Sequence, residues 1–167
     1  MKKLILSLTA LVVFTVSYAQ NTAADVIIKT KHLSTLEAAL TSADLMSTLQ
    51  GAGPFTVFAP TNTAFEKLAP GVLGNLLTPA SHAQLVSVLK YHVMAGKWTT
   101  RSIVKAIEIG GGKAELTTIE GKIITATMVG KIIKLTDTAG NSAMISKRNK
   151  KTSSGFIQFI DTVLMPN

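Results

Sequence analysis

The chain contains no cysteine. That absence excludes a disulfide framework, a thiol nucleophile and a thiolate metal ligand, so packing alone must hold the fold. Aromatic residues are few, six Phe, two Tyr and one Trp. Trp98 stands apart from every basic run, so the stacking platform of a nucleic-acid surface is missing and no nucleic-acid partner is expected. Acids are scarce, nine Asp and Glu against 17 Lys and Arg. Asp25, Asp44, Asp137 and Asp161 and the histidines His32, His82 and His92 make no cluster at metal-ligand spacing. There is no Gly-x-Ser-x-Gly elbow, and no Lys-Ser/Thr helix start follows Gly110-Gly111-Gly112, which removes the hydrolase elbow and the phosphate cradle. No catalytic residue, metal or cofactor is expected, and the chain is read as a non-enzyme.

Only one long apolar run is present. Lys2 and Lys3 precede Leu4–Val16, and Ser17-Tyr18-Ala19 follows as a small-x-small site. The run is short of the roughly 20 residues a spanning helix needs, so residues 1–19 are read as a signal peptide cleaved near Ala19. The mature chain, residues 20–167, is then a single secreted domain with no transmembrane segment and no lipoprotein cysteine. Without Lys2 and Lys3 its net charge falls from +8 to about +6. From Lys90 to Lys151 there are twelve Lys or Arg against four acids, ending in Lys147-Arg148-Asn149-Lys150-Lys151. Such a balance favours an anionic partner, acidic polysaccharide or lipid headgroups among them.

Gly53-Pro54-Phe55-Thr56-Val57-Phe58-Ala59-Pro60-Thr61-Asn62-Thr63-Ala64-Phe65 organises the rest. It reads as a strand bracketed by prolines that turns directly into a helix, with Thr63 and Glu66 at capping-box spacing and Thr61 or Asn62 as an earlier cap. Before it, Asn21–Thr30 reads as a lead-in. Leu33, Leu36 and Leu40 recur at helical spacing, Thr41 or Ser42 restarts a helix through Leu49, and Met46 fills core. After it, Thr78-Pro79 is a helix start, and the helix runs into an extended Tyr91–Gly96 segment. A short helix is expected over Ser102–Ile107. Strands are expected over Leu116–Ile119, Ile123–Val129, Ile132–Thr136 and Ala143–Ile145. The final strand from Gly155 is apolar on both faces through Ile160, hence central and covered on both sides. Helices early and strands late predict an α+β fold.

Three stretches resemble signatures of the fasciclin (FAS1) domain. They are the Gly53–Phe65 corner, the Tyr-His segment Leu89-Lys90-Tyr91-His92-Val93, and Gly155–Pro166 ending Ile160-Asp161-Thr162-Val163-Leu164-Met165-Pro166. The resemblance implies a β-sandwich wedge flanked by short helices, found at cell surfaces and in matrix, where such domains mediate adhesion without general catalytic activity. The Asp-Ile pair that animal members associate with integrin recognition is missing from residues 145–151, so integrin binding is not carried over. Gln158 stands where the family often has His, and Ser154 where it has Asn, so no titrating group is available at position 158.

His92 is expected to be at least partly buried and to join Thr61 or Asn62, or Asp161, in a polar cluster that ties the signature segments together. Contact of Tyr91 and His92 with a ligand is the alternative. Lys147, Arg148, Lys150 and Lys151, read as a loop before the last strand, are the candidate binding residues. The function expected is a secreted or cell-surface adhesion or matrix protein that binds a surface component such as an anionic polysaccharide. The alternative is an extracytoplasmic carrier of a small apolar or lipid ligand held between helices and sheet.

Overall fold

The computed structural model describes residues 21–51 and 53–166, the side chains of Lys147 and Arg148 excepted. The signal peptide expected over residues 1–19 lies outside the described residues.

The segment read as a lead-in is a helix, α1 (Ala23–Ile28). A Thr22–Asp25 capping box starts it. The Thr22 hydroxyl accepts from Asp25 N at 3.2 Å and the Asp25 carboxylate accepts from Thr22 N at 2.8 Å, so two donors at the helix start are satisfied. A 3-10 turn (Lys31–Leu33) leads into α2 (Ser34–Ser42), whose Leu36, Ala39 and Leu40 are buried. Thr41 does not restart a helix; its hydroxyl donates back to Glu37 O, and α3 (Met46–Gln50) begins only after Asp44 has turned the chain at φ 55°. Met46 packs against the core, as expected.

Strand β1 (Phe55–Pro60) runs straight into α4 (Asn62–Glu66). The cap position is Thr61, so the Thr63–Glu66 box is not used: residue 63 already lies inside the helix. After α5 (Val72–Leu76), Thr78 donates to Asn75 O rather than capping, and Pro79 opens a 3-10 turn (Pro79–Ser81) ahead of α6 (His82–Tyr91). The chain then extends as β2 (Val93–Ala95) and stops at Gly96. Helix α7 (Thr100–Ile109) precedes β3 (Lys113–Thr117), β4 (Ile123–Val129), β5 (Ile132–Thr136), β6 (Ser142–Thr152) and β7 (Gly155–Ile160).

The expected α+β wedge is built on one seven-stranded sheet in the order β2-β1-β7-β6-β5-β4-β3. The β1–β7 pair is parallel and the other neighbours are antiparallel. A bridge between Met94 and Thr118, with Ile119 N donating to Val93 O at 2.8 Å, brings the end of β3 back to β2 and curls the sheet nearly into a barrel. Strand β7 is central as expected, hydrogen-bonded to β1 on one side and β6 on the other. Its alternate residues feed two cores. Ile157 and Phe159 pack with α1, α2 and α6, while Ile160 packs with Phe58, Tyr91, Ile103 and Leu135 inside the curl.

Candidate binding face on the basic strand

The three signature segments meet by distinct contacts. At the corner, Asn62 is a clamp. Its Oδ1 accepts from Thr35 N at 3.1 Å, and its Nδ2 donates to Lys31 O at 3.2 Å and to Ser34 Oγ at 3.0 Å. One amide thus ties α4 to the start of α2. Asn62→Ala should cost about 1–3 kcal/mol, read as a lowered Tm, because it strands a backbone N–H. Thr63→Ala should cost under ~0.5 kcal/mol, since Thr63 is exposed and bonds only the Thr61 hydroxyl at 2.9 Å among the described residues. Equal losses for the two variants would contradict the clamp.

Asp161 anchors the last of the three segments. It accepts from Met144 N at 2.7 Å and from Thr162 Oγ1 at 3.2 Å, and pairs with Lys67 at 3.3 Å. Burial pushes its pKa up, but the Met144 N–H and the Lys67 ammonium outweigh that and hold it below the usual carboxylate value.

His92 is buried, as expected, but its partners are others than those expected. Neither Thr61, Asn62 nor Asp161 bonds it. Its Nδ1 lies 2.8 Å from Val88 O and its Nε2 accepts from Leu164 N at 3.2 Å. The reason is position: His92 caps the end of α6, so its ring folds back on the helix and reaches the segment beyond β7 rather than the corner. Tyr91 is 0% and His92 2% exposed, and the Tyr91 hydroxyl donates to Ile123 O at 2.9 Å. Side chains without surface do not touch a partner, which corrects their assignment as ligand contacts.

The residue that sequence reasoning passed over is Asp137, 6% exposed at the β5–β6 turn. Its carboxylate accepts from Ala139 N, Asn141 N, Asn141 Nδ2 and Met165 N at 2.8–3.0 Å. The signal was present in Asp137-Thr138-Ala139-Gly140-Asn141, where an Asp opens a turn that ends on Gly. His92 and Asp137 therefore hold the consecutive amides of Leu164 and Met165.

Gln158 is fully buried and satisfied, its Nε2 donating to Trp98 O at 3.0 Å and its Oε1 accepting from Thr100 Oγ1 at 3.4 Å. His32 and His82 are exposed.

The basic cluster does not form a loop. It lies on β6, which pairs with β7 through Asn149↔Gln158, Lys150↔Ile157 and Lys151↔Phe156, after a register shift between Ile145 and Asn149. That irregularity breaks the alternation by which a strand is recognised. Side chains alternate along the strand. Lys150 stands on the side of α1 and donates to Thr30 Oγ1 at 3.1 Å, whereas Asn149 reaches Thr100 Oγ1 on the other side at 3.0 Å. Lys150 and Lys151 are exposed, and the side chains of Lys147 and Arg148 lie outside the described residues. Beside Lys150 opens a cleft of about 660 Å³, bounded by the Thr61–Thr63 corner, by Thr30 and His32, and by Phe159. Two regions singled out separately in the sequence, the corner and the basic run, thus face one another.

The fasciclin domain profile matches residues 31–166. The chain is 38% identical over 133 residues to Protein sll1483 of Synechocystis sp., a match covering 80% of this chain and 67% of that one. It is 36% identical over 139 residues to the cell surface glycolipoprotein MPB83 of Mycobacterium bovis, covering 80% and 56%. It is 34% identical over 135 residues to periostin of Homo sapiens, covering 81% of this chain but 15% of periostin. The fold superposes on a FAS1 domain pair from the insect cell adhesion molecule Fasciclin I with a TM-score of 0.64 at 16% identity, covering 78% of this chain and 44% of that one. With the three signature segments brought together where β2, β1 and β7 lie side by side and the profile matched over residues 31–166, the chain belongs to the fasciclin domain family.

Proposed function

We propose that the protein is a secreted or cell-surface adhesion module that acts without catalysis and binds an anionic polysaccharide through the face of β6. The observation that carries this reading is the placement of two exposed cations, Lys150 and Lys151, on a strand held by β7, with Lys150 at the edge of a cleft. Rigid presentation lowers the entropy lost when a charged surface is engaged. The basic start and apolar run of residues 2–16, read as a leader, and the likeness to a cell-surface relative support the address. Among the described residues no helix is long and apolar enough to cross a membrane.

A carrier reading needs a chamber between helices and sheet. The void there, lined by Leu40, Leu49, Leu89 and Val93, holds about 10 Å³, the room of about one water, so no observation favours it.

The test is the salt dependence of binding to a polyuronate. Affinity should fall roughly tenfold or more between about 50 and about 200 mM salt, as counterions compete for several cations acting together. Affinity unchanged over that range would overturn the reading.

A further inference from the structure

Building on the polysaccharide reading, we infer that the cleft beside Lys150 is a subsite for one carboxylate-bearing sugar unit of that polymer. Its volume of about 660 Å³ falls within the ~300–1,000 Å³ of small-ligand sites. Among the described residues no Asp or Glu lines it. Lys150 therefore carries its charge at the cleft wall with one of its three donors on Thr30 Oγ1 and, among the described residues, no carboxylate lining the cleft beside it. The remaining lining is suited to a polyol rather than to a second charge. The Thr61 and Thr63 hydroxyls lie 2.9 Å apart at one wall, and His32 is exposed at the margin. Phe159, 8% exposed, supplies an apolar floor against which the C–H face of a sugar ring can rest. An ammonium for the carboxylate, hydroxyls for the ring hydroxyls and one aromatic face for the ring body together match a uronate. A neutral sugar leaves Lys150 unused, and an apolar ligand desolvates it without compensation.

Lys151 follows on the opposite face of β6 and meets the polymer only through its field. That difference makes the subsite separable from general attraction. Trigalacturonate should bind the full mature chain, and maltotriose of the same length should not. Lys150→Met, which keeps the aliphatic stem, should weaken trigalacturonate binding by about tenfold or more. Lys151→Met should weaken it by less than about threefold, and Lys105→Met on α7 should leave it unchanged. In the wild type, amide shifts on titration should concentrate at Thr30, Thr61, Thr63 and Phe159, a readout that needs no variant to fold.

Equal effects of Lys150→Met and Lys151→Met, with shifts spread over β6, would remove the subsite and leave the polyanion reading standing. Loss of all binding to both the trimer and the parent polymer would remove both. A Glu-rich peptide that binds as tightly with the same dependence on Lys150 would overturn the assignment to a sugar.

Discussion

Between pH 6.5 and pH 4 the domain should lose about 3 kcal/mol of stability through a single imidazole. His92 is 2% exposed, and its pKa is pushed down from 6.5 to about 4. Burial is the main cause; the Val88 carbonyl and the charge of Asp137 pull the other way. The hydrogen bonds define the tautomer: Nδ1–H donates to Val88 O, and bare Nε2 accepts from Leu164 N. Protonation would set a second N–H against that of Leu164. An unfolded chain takes up a proton near pH 6.5, while the folded one resists until about pH 4. The stabilising contribution is therefore complete above pH 6.5 and is lost as pH falls through that window. Asp25 and Asp161, whose pKa values lie below the ordinary carboxylate range, lose their contributions at lower pH, so the windows separate. Denaturant melts of wild type and His92→Leu at pH 7 and pH 4.5 check this. The variant should start less stable yet fall much less between the two. Parallel losses would place the acid sensitivity elsewhere.

Gly155→Ala should prevent stable folding, at a cost of more than ~4 kcal/mol. Gly155 has φ +144°, and a Cβ there would lie 1.7 Å from the carbonyl oxygen of Phe55 and 2.7 Å from its carbon. The obstacle is the backbone of Phe55 in β1, and residue 155 cannot move away from it without disturbing its pairing with Thr152 of β6 on the other side. Neither strand can retreat without opening the centre of the sheet. Gly121→Ala is the control for conformational strain alone: φ is +83° with nothing within 4 Å of the added carbon, so it should cost about 1–2 kcal/mol. Thermal melts of the two variants distinguish collision from strain, and similar Tm values would contradict the account.

These residues show what a sequence discloses and what it withholds. Local chemistry was legible. The strands Ile123–Val129 and Ile132–Thr136 are observed at the expected bounds, and the run of apolar residues from Phe156 placed β7 at the centre of the sheet. The corner was readable because prolines bracket it and a helix follows at once. What failed was non-local or masked by composition. Four cations in five residues look like a solvated loop, yet pairing with β7 holds them as a strand, and the register shift after Ile145 conceals the alternation. The expected partners of His92 were chosen from other signature segments, whereas its ring bonds its own helix and an amide 72 residues on. Asn62 was expected beside His92, whereas its three bonds reach back to Lys31, Ser34 and Thr35, which no spacing rule connects to it. The burial expected of His92 extends to Tyr91, so the alternative of ligand contact through the pair has no surface to use.

The binding face is the central claim, and charge reversal tests it most directly. A variant with Lys147, Arg148, Lys150 and Lys151 changed to Glu would be compared with wild type for retention on surface polysaccharide from the protein's own source, across a salt series. Matched melting curves would confirm that the variant is folded. The account predicts that wild type is retained at low salt and released as salt rises, while the variant is not retained. Retention of a folded variant equal to that of wild type would contradict it.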